Sequence, residues 1–233
     1  GSTRLAASWS VPTIACSDAL ASVPKGLMPK LEGLEMQGTF GAHGRIGFDA
    51  SQLDKTIVDF YLEQKCKVVK APPTLSVERF KEPFELKVYD PQGNQRVGKF
   101  GPGSGTWTTY SKISPFVVDA ILTCEDGAFF GHQGFSAGAI RNAIIANLKA
   151  KKFVLGASTV SMQTAKNVFL DRRKQLSRKV QEAVLTAWLE QALTKTEILE
   201  LYLNVIEFGP NLYGIGPAAW HYFGRSPNDL DPL

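Results

Sequence analysis

A chain of 233 residues, 44% hydrophobic and 21% charged, has apolar material for one large or two modest globular domains, and its balance excludes a disordered or fibrous protein. No run of eighteen apolar residues occurs, which excludes a membrane-spanning helix within these residues. The net charge of +4 is unevenly spread. From Ser136 to Glu182 ten lysines and arginines face only Asp171 and Glu182, a block that points to an anionic partner: phosphate, nucleic acid or a membrane surface.

Gly1-Ser2 reads as a cloning remnant and the chain as a piece of something longer. Residues 1–32 lack a clear period and carry Pro12, Pro24 and Pro29, which predicts irregular backbone. From Leu34 the pattern turns strand-like. Leu34, Met36 and Phe40 alternate with small or polar residues, 41–44 reads as a turn, and 45–48 as the returning strand. The glycines fit equally the end of a longer β-structure. Residues 66–70 form a short strand candidate stopped by Pro72-Pro73, and 84–89, the turn 90–94 and 95–100 make a hairpin. Residues 101–105 read as a linker or a loop, and a domain boundary is placed near Trp107. Nothing in the first hundred residues reads as a catalytic constellation. Cys16, Cys66 and Cys124 are widely spaced, with no Cys-x-x-Cys and no histidine at ligand spacing, which argues against zinc. Three cysteines leave at least one unpaired in a monomer, and no compartment follows from them.

Ser114-Pro115 opens a helix, Ser as N-cap and Pro at the first position. Its apolar run, 116–122, delivers Glu125 and Asp126 to the negative end of the macrodipole, where carboxylates cost stability. Gly127 ends it, with Phe129 and Phe130 to hold the loop. An acidic pair kept there points to chemistry; a solvated turn with a structural His132 is the other reading. Ser136 caps the next helix, whose Ile140, Ile144 and Leu148 make one stripe and whose end carries Lys149, Lys151 and Lys152. Phe153-Val154-Leu155 follows, either as a small core contact or as a segment resting on a bilayer with the lysines on headgroups.

Residues 156–167 are a Gly-containing loop in which Ser158 and Thr159 open a helix, gathering N–H groups and hydroxyls at its positive end. On that helix Gln163 and Lys166 share a face at i and i+3, which suits a phosphate and equally suits a capped surface helix. Residues 176–193 make a strong helix with Arg178 and Glu182 at i and i+4, an ion-pair spacing. Thr194-x-x-Glu197 is a capping box for the helix over 198–204, which Phe208-Gly209-Pro210 breaks. Residues 214–224 read as a short helix closed by Gly224, so the region from Ser114 onward is expected to be all helix.

Glu-Asp-Gly-Ala-Phe-Phe-Gly-His-Gln-Gly (125–134) resembles the first signature of the peptidoglycan glycosyltransferases, glycosyltransferase family 51. Residues 156–167 resemble the second signature, Arg-Lys-Val-Gln-Glu (178–182) the third, and Lys-Thr-Glu-Ile-Leu-Glu-Leu-Tyr-Leu-Asn (195–204) the fourth. Phe208-Gly209 with 218–224 is similar to the fifth. Five in order across 113–224 are specific where any one alone is weak.

The resemblance covers about half of the chain and leaves out the residues before Trp107; with the strand patterns read there, the expected class is α+β. A mainly α, lysozyme-like, two-lobed transglycosylase domain over 107–233, truncated at its C-terminus, follows a smaller β-rich accessory segment over 1–106. The resemblance implies polymerisation of lipid II into glycan strands by inverting transfer, with undecaprenyl pyrophosphate as the leaving group. The enzyme would stand alone or as the transferase half of a class A penicillin-binding protein, at the periplasmic face of the bacterial inner membrane, its anchor outside this chain. Carried over by position, Glu125 is the general base and Glu182 the second carboxylate. Substrate contacts fall to Asp126, Ser158, Thr159, Gln163, Lys166, Asn167, Lys174, Arg178 and Lys179. The chemistry agrees: a sugar hydroxyl needs a carboxylate to take its proton, and a leaving pyrophosphate needs fixed cations.

No cofactor is implied beyond a divalent cation such as Mg at the pyrophosphate. The implied partners are lipid II, the nascent glycan strand, the inner-membrane surface and cell-wall synthesis proteins, and no nucleic acid. The chain departs from the family pattern at Ser136, where an acid is usual, at Gly156-Ala157, where two glycines are usual, and at Lys174. There an arginine is common, and lysine keeps the charge without the bidentate contact. Two other classes use parts of the same pattern. A lysozyme-like cleaving enzyme would want Glu125 as an acid but not the basic cluster. A non-catalytic peptidoglycan- or lipid II-binding module could dispense with Glu125 and Lys166.

Overall fold

The computed structural model describes residues 4–24, 26–90, 92–171 and 176–232. Its strands are β1 (Arg4–Ala15), β2 (Glu35–Gln37), β3 (Thr39–Asp49), β4 (Ile57–Gln64), β5 (Lys67–Lys70), β6 (Phe84–Tyr89), β7 (Gln95–Phe100), β8 (Glu207–Gly209) and β9 (Leu212–Tyr213). Its helices are α1 (Cys16–Ala21), α2 (Pro115–Glu125), α3 (Ala137–Ala150), α4 (Val160–Phe169), α5 (Leu176–Ala192), α6 (Lys195–Val205) and α7 (Ile215–Phe223). The class is α+β. Two compact units share the chain, Gly1–Pro72 with Phe135–Ser158, and Pro73–Gly134 with Thr159–Leu233.

The first unit is built on an antiparallel sheet in the order β1-β3-β4. Trp9 pairs with Gly44 and Gly44 with Phe60, so all three stand on one face. A β-carbon at Gly44 would come within 2.9 Å of the Trp9 indole, which reaches Phe60 with ring centroids 5.7 Å apart. This corrects the turn expected over 41–44: β3 runs through it, and the glycine there makes room for a cross-strand ring. The irregular backbone expected over 1–32 is also corrected. β1 is a twelve-residue strand, with Pro12 at the register shift between Val11 and Ile14, where a missing ladder N–H is tolerated. Its outer surface is exposed nearly throughout, and its partner lies far along the chain, so no local window reveals it. β5 pairs with β2 as the strand read over 66–70, and Cys16 is joined to Cys66 in a disulfide with Cα atoms 5.8 Å apart.

In the same unit Ser136 caps α3 as read, its Oγ accepting the Ala139 N–H at 3.1 Å. Beyond α3 the Asn147 side chain accepts the N–H groups of Val154 and Leu155 at 2.7 and 3.0 Å and donates to the Leu155 carbonyl at 2.9 Å. Phe153 is left 82% exposed, with Val154 and Leu155 about half so.

The second unit is centred on α6, whose Ile198, Leu199, Leu201, Tyr202, Leu203 and Asn204 are all buried. Full burial of each such aliphatic side chain contributes roughly 1.5–3 kcal/mol. Its capping box forms: the Glu197 carboxylate accepts the Thr194 N–H at 2.7 Å while the Thr194 hydroxyl accepts the Glu197 N–H. α4 and α5 pack on α6 and on each other. Glu200 and Asn204 bind the irregular segment before α2 and so satisfy its main chain. Glu200 accepts from Trp107 Nε1 at 2.9 Å and from the Tyr110 N–H at 2.7 Å, and Asn204 exchanges two bonds with Thr108.

The β6–β7 hairpin forms in the register Phe84↔Phe100 to Tyr89↔Gln95. Its Phe84, Leu86, Val88 and Phe100 are buried, and the Phe84 ring meets Trp107 edge-on, which is why the hairpin packs within this unit. The position near Trp107 expected as a boundary lies inside the unit, which starts at Pro73. Two local readings are corrected. Ser114 makes no side-chain cap; it is buried, and its N–H donates to the Pro227 carbonyl at 3.0 Å, while Pro115 does occupy the first helical position. The region after Ser114 is not all helix: β8 and β9 pair around Asn211, whose left-handed φ of 65° closes the turn. Phe129 is buried as a loop anchor should be, but Phe130 is 56% exposed.

Candidate active site

Glu125, Gln163, Lys166, Asn167 and Arg178 line one cleft of about 560 Å³ in the second unit, within the range of small-ligand sites. α2 ends on Glu125, α4 presents Gln163, Lys166 and Asn167 at i, i+3 and i+4, and the first turn of α5 supplies Arg178. Gln163 Nε2 donates to Glu125 Oε2 at 2.8 Å, which orients a carboxylate that is otherwise exposed. The Arg178 Nε–H is buried without a hydrogen-bond partner, a donor that an incoming anion can satisfy.

Asp126 explains why a second acid stands at the unfavourable end of α2. Its carboxylate is buried at the N-terminus of α4, accepting the Val160 N–H at 3.0 Å, where negative charge is favoured. It also lies 3.0 Å from His132 Nε2. His132 Nδ1 accepts the Gly134 N–H at 3.0 Å, which assigns the proton to Nε2 and the donor role toward Asp126. Gly134 has φ 89°, and a β-carbon there would approach Thr186 to 2.8 Å. Thr159 caps α4, accepting from the Met162 N–H at 3.2 Å and donating to the Gly134 carbonyl at 2.6 Å. Asp126 and Thr159 therefore hold the helix that carries Gln163 and Lys166, and neither is on the cleft wall.

Glu182 is buried and paired with Lys179, one turn earlier on α5. The pairing read from the sequence between Arg178 and Glu182 is corrected: i and i+3 also share a helix face, so Lys179 takes the carboxylate while Arg178 lines the cleft. Ser158 closes the first unit, and Lys174 lies outside the described residues.

Sequence reasoning missed Tyr202, Glu207, Tyr213 and residues 86–89 of β6 as cleft walls. Tyr202 stands inside the fourth signature and could have been singled out; β6 carried no signal. Burial, with the charges of Glu125 and Asp126 adding to it, pushes the Tyr202 phenol up, so it stays a neutral hydroxyl. Among the described residues no group of three His, Cys, Asp or Glu side chains is arranged to hold a metal ion, and no helix is long and apolar enough to cross a membrane.

Residues 93–233 match the family model described as Transglycosylase. The biosynthetic peptidoglycan transglycosylase of Nitrosomonas eutropha is 47% identical over 126 residues, 54% of this chain and 52% of its own. That of Alcanivorax borkumensis is 44% identical over 138 residues, 59% of this chain and 56% of its own. Penicillin-binding protein 1A/1B of Bacillus subtilis is 38% identical over 166 residues, 71% of this chain and 18% of its own. The chain spans about half the length of the curated peptidoglycan transglycosylases that it matches. The matched residues cover more than half of the chain and include every helix that contributes to the cleft, and on that ground the chain belongs to the transglycosylase family, glycosyltransferase family 51.

Proposed function

We propose that the protein polymerises lipid II into glycan strands by inverting transfer, releasing undecaprenyl pyrophosphate. One observation carries this reading: a carboxylate, Glu125, and two cations, Lys166 and Arg178, meet in a single cleft within the family-matched residues. Glu125, oriented by Gln163, takes the proton of the acceptor's 4-hydroxyl as that oxygen attacks the donor's anomeric carbon. The carbon–oxygen bond to pyrophosphate breaks on the opposite face, and Lys166 and Arg178 hold the charge that develops there. Asn167 supplies a polar contact from the same turn of α4. Asp126 and Thr159 position α4, and Glu182 acts through Lys179. Ser158, Lys174 and Lys179 are further substrate contacts in this reading. Among the described residues no group of three His, Cys, Asp or Glu side chains is placed to hold a metal ion, and the roles given to Glu125, Lys166 and Arg178 use this chain's own groups alone.

A lysozyme-like, two-lobed architecture and an accessory role for residues 1–106 belong to the same proposal. So does action at the periplasmic face of the inner membrane, which the Cys16–Cys66 disulfide supports, since such bonds persist in oxidising compartments. Incubation with lipid II tests the reading. Glycan strands are the expected product; breakdown of existing strands would identify a cleaving enzyme, and binding without turnover a binding module.

Lys166→Ala should weaken lipid II binding at least about tenfold, because a charge-assisted contact contributes about 1.5–3 kcal/mol. The variant should also flatten the loss of affinity with added salt, while an uncharged glycan strand responds little. Unchanged lipid II affinity would remove Lys166 from the pyrophosphate site. The exposed Phe153-Val154-Leu155 segment, beside Lys151 and Lys152, is proposed to rest on the bilayer. Replacing the three by Ser should reduce sedimentation with anionic vesicles at an unchanged melting temperature. A lower melting temperature with full vesicle binding would instead make the segment a packing element.

A further inference from the structure

β6 borders the cleft through four successive residues, Leu86, Lys87, Val88 and Tyr89. Successive side chains of a strand point to opposite faces, so four in a row reach one cleft through the strand's edge. The other edge is occupied by β7. Two observations define which backbone groups the open edge presents. At the turn, the Asp90 N–H donates to the Asn94 carbonyl at 3.0 Å, so Asp90 faces the β7 side. One residue earlier, the Tyr213 hydroxyl accepts the Tyr89 N–H at 3.2 Å and donates to the Tyr89 carbonyl at 3.1 Å, so Tyr89 faces away from β7. Backbone direction alternates along an antiparallel strand. Lys87 therefore also turns its N–H and C=O away from β7, along the edge that borders the cleft. Among the described residues no side chain or loop takes either group.

Family membership does not account for this wall, since β6 precedes the matched residues 93–233. An N–H and a C=O presented side by side by one residue are complementary to another extended peptide. Phosphate already has Lys166 and Arg178, and a sugar's N-acetyl group points its N–H and C=O in opposite directions, whereas one residue of an extended peptide presents both on the same side. The exposed Lys87 side chain adds a positive charge suited to an acidic peptide.

We propose that the open edge of β6 binds the stem peptide of the lipid-linked substrate as an added strand, through the Lys87 N–H and C=O. This rests on the reading of the cleft as the lipid II site. It would make the hairpin the element that distinguishes peptide-bearing substrate from a bare glycan.

Lys87→Pro tests it. The substitution deletes the outward N–H at an edge position where proline spares the β6–β7 ladder. Lipid II and the same lipid-linked disaccharide without its peptide are titrated against the unaltered chain and the variant. The unaltered chain should bind the peptide-bearing lipid about tenfold more tightly, the share of one or two hydrogen bonds, and the variant should bind the two alike. A second measurement needs no variant: hydrogen exchange at the Lys87 amide of the unaltered chain should slow with lipid II and not with the peptide-free lipid. Equal affinity of the unaltered chain for both lipids, or no slowing at Lys87, overturns the edge proposal and leaves the lipid II reading standing. If the unaltered chain binds neither lipid, the lipid II reading falls and the edge proposal falls with it.

Discussion

Glu125→Gln is expected to abolish strand formation from lipid II while leaving lipid II affinity within about twofold. The carboxamide has the shape of the carboxylate and can keep the contact to Gln163, but it cannot accept a proton. A lost general base costs about a hundredfold or more in rate, and the loss belongs to the transition state, so the ground-state complex hardly changes. Glu182→Gln should behave differently. Its carboxylate is buried against Lys179 rather than exposed to the cleft, so the variant should lose stability together with binding. Strand formation by Glu125→Gln within about tenfold of the parent rate would remove Glu125 from the base role, since that is well short of the loss expected. Retention at the anomeric centre of the product would defeat the single-displacement mechanism outright.

Reduction of the Cys16–Cys66 disulfide, or its replacement by two serines, is expected to lower the stability of the first unit by about 4 kcal/mol. The bond closes a loop of fifty residues that contains β2, β3 and β4. Its removal returns that loop's closure entropy to the unfolded chain. Against a typical total of about 5–15 kcal/mol the loss is large. Urea unfolding with and without reductant reads it when Trp107, Trp188 and Trp220, all in the second unit, are replaced by Phe so that Trp9 alone reports. Thiol labelling gives the control. Without reductant the unfolded chain should take up one label, on the free Cys124, and with reductant three. Three labels without reductant, or transitions that ignore the reductant, would show the bond absent or without effect.

Much of the second unit was legible because its signals act over a few residues. The Thr194–Glu197 capping box, the pairing of β6 with β7, and the phasing of α4, α5 and α6 depend on near neighbours in the chain, and they form as read. The candidate cleft was partly legible for the same reason. Gln163, Lys166 and Asn167 share a helix face by spacing alone, and the five signatures that named them with Glu125 and Arg178 are local strings. What spacing could not supply was convergence, because α4 and α5 meet by packing on α6 and on each other, and the end of α2 reaches α4 through the hydrogen bonds of Glu125 and Asp126.

By itself, then, the sequence determined the helices and hairpin of the second unit, the family, and most of the polar residues that reach the cleft. The tertiary structure alone decided the rest, wherever a residue's partner lies tens of positions away. β1 is a strand because β3 pairs with it, and Asp126 is a helix anchor because Val160 comes to it across thirty-four residues. Cys16 chose Cys66 over Cys124 through the folding of β2 against β5. The edge of β6 became a wall of the cleft because Tyr213, 124 residues beyond Tyr89, fastens to it. In each case the determining energy is a hydrogen bond, a covalent bond or a buried contact between distant segments, and no local pattern of residue types records it.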